Sequence, residues 1–586
     1  MQTRRALFAL VAASAVVIPT AAVAAPSHES SVAWLPTATR ALPLARTALG
    51  TLDGRVPLRI SVGLQLRHRA EMDRLAEAVS APGSVAFGDF LTPTQVRARF
   101  GPTASSVAAV EGWLRQAGFQ AVSVSRNGLL VDATASASTV MRTFRTTLER
   151  YLVRGHEVYA NTTAALVPAA LHGVVASVLG LSDVPMALPH TVTPHSTDAG
   201  IDIGGFTPAQ IAKIYDASSL PAARRMSVAV VAMGDMKPII ANLRIAERKA
   251  HSPRVPVTVR YGGPQDVITQ NNPLTGNAEW DLDTQMATME AGTVKRLYIY
   301  DEQTFTDEDV VRGINSFVAD NQAISGSASL GECDYIAWAD GAMLMSDESL
   351  EEGALQGQSF FASTGDNGSF CPEITSTGVP GGLPGTSWPA EGTWTTAVGG
   401  TTLLADSDGN VSQEIAWIGG GGGITPFETA GDWTTPANPA SQLDQFINQG
   451  GRAVPDISTD ADGNVSPVLI YIGGNTPAGI GGTSVSAPTM NGLWARLQGA
   501  SGGKLGLASV RLYGVYNAVN PGENISEPLG VVTIPNLPAK PVTGFRDITL
   551  GGDGLFVATP GYDYTTGIGA PLVSQLLKQF RLQQRD

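Results

Sequence analysis

The chain has few cysteines, few charged side chains and, after its first residues, no long hydrophobic run. Two cysteines in 586 residues exclude a disulfide-rich scaffold and a four-cysteine zinc site. Charged residues amount to 15%, against roughly 25% in average soluble proteins. The net charge of −14 argues against nucleic acid as the main partner, because such binding needs a basic surface. So little charge suits a protein that meets acid, where carboxylates lose their charge and leave Lys and Arg unbalanced.

Apolar residues, glycine and proline are plentiful. Hydrophobic residues make up 43% of the chain, which supplies a sizeable core and excludes wholesale disorder. The 65 glycines and 37 prolines predict many turns and long ordered loops. The length allows about three or four domains of roughly 150 residues, or fewer if one is a large α/β domain.

The first residues have the composition of an export signal. Arg4 and Arg5 precede an apolar run over residues 6–18, and an A-x-A motif follows near Ala24. A membrane anchor, the alternative, needs about 20 apolar residues. We therefore predict a signal peptide over residues 1–25 and a secreted protein without a membrane partner. In an oxidising compartment Cys333 and Cys371 are expected to pair, with free buried thiols as the alternative.

The front part of the chain predicts an independent α+β domain over residues 26–185. Short strand patterns alternate with amphipathic helices, the strands at 58–66, 120–125 and 128–133 and the helices at 70–79, 104–117 and 141–148. A segment rich in Pro, Thr, Ser and His follows over residues 186–205. We expect it to be an exposed linker that is cut between about Leu188 and Gly204.

Residues 206–586 predict a second, larger domain of another class. Uninterrupted apolar strands alternate with helices, the strands at 227–233, 257–261, 296–300, 324–330, 359–364 and 396–403. Such strands predict a parallel sheet with helices on both faces, and therefore an α/β domain. Functional residues in such sheets gather in the loops at the carboxyl ends of the strands.

One serine has the local sequence of a nucleophile. The glycines of Gly481-Gly482-Thr483-Ser484 precede an apolar helical stretch over residues 490–497, and a tight turn there would expose a hydroxyl beside amide donors. An N-capping serine in a glycine-rich turn is the alternative.

A suitable histidine for this serine is missing. The chain has seven: His28, His68, His156, His172, His190, His195 and His251. Only His251 falls in the second domain, within a basic, surface-like run, so a Ser-His-Asp triad is disfavoured and a carboxylate base must be sought.

Two further motifs supply carboxylates. Glu279 and Asp283 are four residues apart and would share one face of a helix, where they could hold one proton between them. An acidic solvent face is the alternative. Asp366 lies in a glycine-rich loop after a predicted strand, and when protonated it could donate a hydrogen bond to an oxyanion. An ordinary turn aspartate is the alternative there.

Together these residues resemble the sedolisin family of secreted serine-carboxyl peptidases, most closely its bacterial members. The resemblance covers most of residues 208–571 and rests on Glu279-x-x-x-Asp283, Ser363-x-Gly365-Asp366-x-Gly368, Gly482-Thr483-Ser484-x-x-Ala487-Pro488, Ser387-Trp388-Pro389-Ala390, Val398-Gly399-Gly400-Thr401 and Pro455-Asp456. The front domain also resembles the family's propeptide at Leu91-Thr92-Pro93, Trp113-Leu114 and Tyr159-Ala160-Asn161.

The resemblance implies a subtilisin-like α/β fold behind a small, ferredoxin-like α+β propeptide, and endopeptidase activity on proteins and peptides at acidic pH. It makes Ser484 the nucleophile, Glu279 the general base, Asp283 its supporting acid and Asp366 the oxyanion donor. The propeptide would assist folding and inhibit the enzyme until it is cut off. The mature enzyme is expected to be a monomer.

The resemblance also implies three accessory features. Substrate backbone would pair with Ser329-Leu330-Gly331, and Cys333 and Cys371 would be bridged. One structural Ca²⁺ would be held by the side chains of Asp547 and Asp563 and the carbonyls of Ile548, Thr559 and Gly561. The loop length around this site departs from the family pattern, which leaves the two aspartates as the firmer ligands.

The chain departs from the family in one further respect. The first strand of the second domain, residues 227–233, has no glutamate that could extend the catalytic hydrogen-bond network as in some relatives. Two rival functions remain, a neutral Ser-His-Asp protease using His251 and an inactive exported binding protein on the same fold. Loss of activity in a His251→Ala variant would identify the first, and no cleavage of denatured protein across acidic pH the second.

Overall fold

The structure is a computed structural model that describes residues 33–42, 48–153, 156–184, 188–189, 192–195, 204–262, 277–371, 383–406, 408–434, 451–519 and 542–583. The predicted signal peptide lies outside these ranges. Within them, none of the helices combines the length and the apolar character that a bilayer crossing requires.

In its described residues the front domain has nine strands, four helices and a 3₁₀ turn at Ala169–Leu171. In chain order these elements are β1 (Trp34–Pro36), β2 (Gly50–Thr51), β3 (Pro57–Leu64), α1 (Arg69–Ala78), α2 (Pro93–Arg99), α3 (Ala104–Ala117), β4 (Gln120–Val124), β5 (Leu130–Ser136), α4 (Ala137–Phe144), β6 (Leu148–Val153), β7 (His156–Asn161), β8 (Leu166–Pro168) and β9 (Val175–Leu179).

A four-stranded antiparallel sheet in the order β4-β5-β3-β9 forms the centre of this domain. Alternate residues of β3 serve two faces, as the twofold period of a strand requires. Ile60 and Val62 are fully buried in a cluster with Val110 of α3 and Phe144 of α4. Ser61 points the other way, toward Glu308 of the second domain. The α+β prediction is therefore confirmed, and one face of the sheet rests on the larger domain.

One predicted helix of this domain is wrong in its bounds. The helix expected at 141–148 is α4, and β6 begins where that helix was expected to end. The Ser136 side chain caps α4 by accepting a hydrogen bond from the Thr139 amide, and Arg145 ends it in the left-handed conformation with φ 52°. Both caps are local features that outweigh the apolar periodicity.

The described residues of the linker include two short strands, β10 (Leu188–Pro189) and β11 (Val192–His195). Its composition had predicted no regular structure. Both strands pair with strands of the larger domain rather than with each other.

The second domain contains the remaining strands and helices, with a 3₁₀ turn at Asp432–Thr434. In chain order they are α5 (Pro208–Ile214), β12 (Ser227–Met233), α6 (Met236–Lys249), β13 (Val257–Tyr261), α7 (Asn277–Glu290), β14 (Arg296–Glu302), α8 (Asp307–Asp320), β15 (Ser325–Ala328), β16 (Leu330–Cys333), α9 (Asp334–Asp340), α10 (Ala342–Leu355), β17 (Ser359–Ser363), β18 (Ser387–Trp388), β19 (Thr396–Ala405), β20 (Val411–Ala416), β21 (Gly423–Thr425), β22 (Arg452–Val454), β23 (Ile457–Asp460), β24 (Val468–Tyr471), β25 (Pro477–Gly481), α11 (Thr483–Ser501), α12 (Ala508–Val519), β26 (Phe545–Arg546), β27 (Ala570–Pro571) and α13 (Val573–Gln583).

An eight-stranded sheet organises this domain, in the order β13-β14-β12-β15-β17-β19-β20 with β23 also paired to β19. All pairings are parallel except that of β20 with β19. The helices α7 and α11 pack together against it, and α8 and α10 form a second pair that contacts the front domain. The predicted parallel sheet flanked by helices is confirmed.

The strand predicted at 324–330 is interrupted at Ser329. Its first part is β15 in the main sheet, and its second part, β16, leaves that sheet to pair with β18 and with β10 of the linker. Ser329 therefore lies at the carboxyl end of a parallel strand, where functional residues are expected.

Candidate active site

Helix α7 brings the predicted carboxylate pair into the interior. Glu279 and Asp283 are both fully buried, so the alternative of an acidic solvent face is wrong. Asp281, between them in sequence, faces α6 and accepts a hydrogen bond from Asn242 Nδ2 at 2.9 Å. The four-residue spacing thus separates the two candidate residues from the third acid, as helical geometry requires.

The candidate nucleophile opens helix α11. Gly482 takes φ 103°, a conformation that favours glycine, and forms the N-cap of the helix. Ser484 therefore lies inside the first turn and is not the N-cap, which removes that alternative. Its Oγ has no hydrogen-bond partner among the residues that the structure describes, which leaves the hydroxyl free for chemistry.

Ser484 is fully buried, whereas the glycine-rich turn had predicted an exposed hydroxyl. The linker runs close to this serine. Its strand β11 pairs with β25, with Val192 opposite Gly481, three residues before the serine. Because the propeptide is still attached, a segment of the same chain lies beside the position that a substrate must reach.

Ser329 connects the serine to the carboxylate pair. Its Oγ donates a hydrogen bond to Asp283 Oδ1 at 2.6 Å and lies 3.3 Å from the carbonyl oxygen of Ser484. Burial raises the pKa of Asp283 to about 8, although the Ser329 bond acts in the opposite direction. Asp283 is therefore protonated in mild acid.

Asp366 approaches the same place from the loop after β17. Its Oδ1 accepts hydrogen bonds from the backbone N and Oγ1 of Thr483, at 2.8 and 2.9 Å. Its Oδ2 is buried and has no partner within the described ranges. Burial raises the pKa of Asp366 to about 7, against the opposing effect of the Thr483 bonds. Below that pH, Oδ2 is the oxygen available to carry and donate a proton.

The predicted substrate strand is occupied by the linker. Leu330 pairs with Pro189 and Gly331 with Leu188 in an antiparallel ladder between β16 and β10. The strands β10 and β11 thus contact the second domain at two places, one beside Ser329 and one beside the turn that carries Ser484. This is the backbone pairing expected of an extended peptide bound to the edge of a strand.

The rival histidine is in a different setting. His251 is exposed, just after the end of α6, with φ 50°. Its exposure agrees with the expectation of a solvated surface residue.

Comparison with known proteins agrees with this architecture. Residues 46–184 match the family described as the pro-kumamolisin activation domain. The chain is 33% identical to sedolisin of Pseudomonas sp. (strain 101) over 582 residues, which cover 94% of this chain and 93% of that protein. The chain belongs to the sedolisin family. It is therefore a serine-carboxyl peptidase, a hydrolase made as a zymogen with a propeptide that precedes the peptidase domain.

Other relatives of this sedolisin-family peptidase agree. Xanthomonalisin of Xanthomonas sp. (strain T-22) is 30% identical, and the alignment covers 89% of this chain and 65% of that protein. The solved structure of Pseudomonas sedolisin, described as a serine-carboxyl proteinase complexed with two molecules of pseudo-iodotyrostatin, superimposes with a TM-score of 0.55 at 28% identity. It covers 65% of this chain and 99% of that one.

The residues of two expected accessory features lie within the described ranges. Cys333 and Cys371 form a disulfide, which connects the end of β16 to the segment after the Asp366 loop. The predicted calcium ligands Asp547 and Asp563 face one turn, since Asp547 Oδ1 accepts from the Gly561 amide and Asp563 Oδ2 from the Thr559 amide. Two carboxylates around a single turn of backbone fit the oxygen donor set that Ca²⁺ prefers.

Sequence reasoning missed two contributions to the site of this sedolisin-family enzyme. Thr483 lies in the serine motif without an assigned role, yet its hydroxyl and amide donate hydrogen bonds to Asp366. Ser329 was assigned a backbone role, yet its hydroxyl binds Asp283. The position of Ser329 at the end of a parallel strand was the available signal.

Proposed function

We propose that this protein is a secreted, monomeric endopeptidase that matures and works in acid with a Ser484-Glu279-Asp283 triad and Asp366 as oxyanion donor. One observation carries this proposal: three segments distant in sequence converge on Thr483 and Ser484. Asp366 bonds Thr483, and the Ser329 hydroxyl bonds Asp283 while it lies against the Ser484 carbonyl.

In the proposed reaction, Ser484 Oγ attacks the carbonyl carbon of the scissile peptide bond, and its proton passes to the carboxylate of Glu279. Asp283, protonated in acid, supports Glu279 and stabilises the negative charge before the transfer. Glu279 then gives the proton to the leaving amine, and the acyl group remains on Ser484. A water molecule, deprotonated by the same carboxylate, releases the acyl group and restores the serine.

Asp366 supplies the electrostatic part of the proposal. The carbonyl oxygen of the substrate becomes negative during the attack, and a proton on Asp366 Oδ2 would meet it. Because the pKa of this carboxyl lies near 7, the donor is present in acid and is replaced by a repelling charge above neutrality. This accounts for the proposed acidic working range.

The test is a pair of substitutions in the full chain. Ser484→Ala and Glu279→Gln should each lower peptide hydrolysis at acidic pH by several powers of ten, because groups that act as a unit fail together. Asp406→Asn is the matched control, since Asp406 lies exposed in the turn between β19 and β20. Thermal unfolding of each variant checks the fold, and near-normal activity of either catalytic variant would refute the triad.

We further propose that the enzyme cuts its own linker within residues 189–192. The support is the pairing of β10 with the substrate strand on one side and of β11 with β25 on the other. N-terminal sequencing after acidification should find the new terminus in this interval, and the Ser484→Ala chain should stay intact. A terminus inside β12 would contradict the domain boundary as well.

Calcium binding is the next part of the proposal. Asp547 and Asp563 would bind one Ca²⁺ with the carbonyls of Ile548, Thr559 and Gly561. The positively charged ion would hold these ligands together and so cross-link the C-terminal segment. Removal of the ion with EDTA should lower the melting temperature, because a ligand bound only to the folded state stabilises it. Asp547→Asn should lower it similarly and abolish the EDTA effect, whereas an unchanged melting temperature after chelation would argue against the site.

Export is proposed from the signal over residues 1–25. Expression of the Ser484→Ala chain with its first residues should yield extracellular protein that begins near Ala25 or Pro26. A chain expressed without residues 1–25 should remain inside the cell. Retention of the full-length chain in the membrane fraction would instead support an anchor.

A further inference from the structure

The loop that carries Asp366 is held by a residue from the far end of the chain. Asp553 is 2% exposed, and its Oδ1 accepts hydrogen bonds from the Ser369 hydroxyl and, at 3.0 Å, from the Phe556 amide. The backbone adds a further bond, from the Ser369 amide to the Asp553 carbonyl oxygen at 3.0 Å. Asp553 and Ser369 are thus joined through both side chain and backbone.

Two glycines allow this close approach. A Cβ at Gly368 would collide with the carbonyl oxygen of Asp553, and one at Gly422 would lie 2.5 Å from Asp553 Oδ2. Gly422 belongs to a glycine segment at residues 419–423. At Gly422 the missing side chain leaves space for the Tyr564 carbonyl oxygen, which is nearest, and for the carboxyl group of Asp553.

The glycine segment and Asp553 hold the same loop from two sides. The Gly368 amide donates to the Gly419 carbonyl and the Gly421 amide donates to the Gly365 carbonyl, both at 2.9 Å. Asp366 lies between these contacts, and its own carboxyl is bonded to Thr483. The loop position therefore depends on Asp553 at Ser369, on the glycine segment at Gly365 and Gly368, and on Thr483 at Asp366.

We propose that Asp553 is a positioning residue for Asp366, and so sets the distance from the oxyanion donor to the reacting carbonyl oxygen. The inference rests on the proposed role of Asp366 as that donor. Oxyanion donors act over 2.7–3.1 Å, so a displacement of about 1 Å removes much of their effect. Asp553 itself touches neither the substrate nor Ser484 in this scheme.

The variants are Asp553→Ala and Ser369→Ala, made in the full chain and activated in acid. Each should lower kcat about tenfold while KM changes less than about twofold. This loss in kcat is smaller than that expected when an oxyanion donor is removed completely. The double variant should lose no more than the worse single one, because both substitutions break the same contact. Asp406→Ala, in an exposed turn, is the control.

A pair of inhibitors distinguishes positioning from general damage. A peptide aldehyde forms a hemiacetal with the serine and needs the oxyanion donor, whereas the corresponding peptide alcohol does not. Asp553→Ala should weaken the aldehyde about as much as it lowers kcat and leave the alcohol unchanged. The inference would be overturned if Asp553→Ala weakened binding of both inhibitors equally, or weakened binding of neither.

Asp366→Ala is measured in parallel to separate the two hypotheses. If it retains full aldehyde affinity, the proposed role of Asp366 fails. If it loses that affinity while Asp553→Ala does not, only the positioning role fails. Should Asp553→Ala not fold, Ser369→Ala decides by the same aldehyde-to-alcohol ratio, and Asp553→Asn, which keeps the size and the Oδ1 acceptor, should leave that ratio unchanged.

Discussion

The catalytic centre and the interface between propeptide and peptidase domain both bury carboxyl groups, but they give them different partners. At the interface the partners are arginines: Arg312 Nη1 lies 3.2 Å from Glu302 Oε2, and Arg59 of the propeptide pairs with Glu308 and Asp309. In the centre the partners are hydroxyls and an amide, from Ser329 to Asp283 and from Thr483 to Asp366.

In both regions, burial nevertheless changes the carboxyl pKa more than the hydrogen-bonding or ionic partner does. Burial raises the pKa of Glu302 to about 8 although Arg312 lowers it, much as it raises that of Asp283 to about 8 beside a hydroxyl. Both regions therefore hold carboxyl groups that bind protons around neutral pH, well above the ordinary carboxyl range. Because protonation of such groups favours the folded zymogen, we propose that acid starts maturation through the cut in the linker and does not loosen the propeptide.

The largest expected effect concerns the arginine of the interface. In the uncut Ser484→Ala chain, Arg312→Met should reduce the free energy of unfolding by about 3–5 kcal/mol, because Glu308 and Asp309 lose the guanidinium that their buried oxygens contact. Arg115→Met is the matched control on α3, where Arg115 pairs with Glu111 in an exposed i,i+4 bridge, and should cost less than about 1 kcal/mol. Urea unfolding at neutral pH measures both, and equal losses would mean that the interface pairs contribute no more than a surface bridge.

The next effect sharpens the assignment of the centre. Asp366→Ala should lower kcat by about 10²–10³, the usual cost of one oxyanion donor. Asp366→Asn keeps an N–H donor that does not titrate, so its activity should no longer fall as the pH rises through about 7. The pH profile of kcat checks this, and an unchanged alkaline decline in Asp366→Asn would assign that decline to another group.

The smallest effect tests whether acid loosens the propeptide. Glu302 and Glu348, with pKa values of about 8, bind protons in the folded zymogen that they release on unfolding. This contribution is complete below the ordinary carboxyl pKa and is lost as the pH rises toward 8. The Ser484→Ala chain should thus be more stable at pH 5 than at pH 8 in urea unfolding. Glu302→Gln should reduce the difference, and greater stability at pH 8 would show that acid does loosen the interface.

Sequence reasoning succeeded where local pattern and tertiary environment agree. The strand Ser227–Met233 was predicted with its observed bounds, because a continuous apolar run fits a strand buried on both faces. Glu279 and Asp283 were assigned to one helix face from their spacing, and both are buried there.

The sequence could not predict contacts that form only after the domains pack together. The linker strands β10 and β11 have no strand pattern of their own, since their partners lie in the peptidase domain. The bond from Ser329 to Asp283 likewise joins residues that are far apart in sequence and meet only in the folded enzyme. The composition of the linker therefore predicted a loop, and the sequence motif predicted only a backbone role for Ser329.

Gly180, just after β9, shows a consequence of folding the peptidase domain together with a propeptide. It takes φ 86°, and a Cβ there would lie 2.5 Å from the Arg59 carbonyl oxygen and 2.7 Å from Glu308 Oε2. An alanine at this position would strain the seat of the propeptide on α8. The substitution would impair folding of the zymogen, but the mature enzyme would no longer contain the substituted residue. We therefore expect less mature enzyme with unchanged kcat and KM.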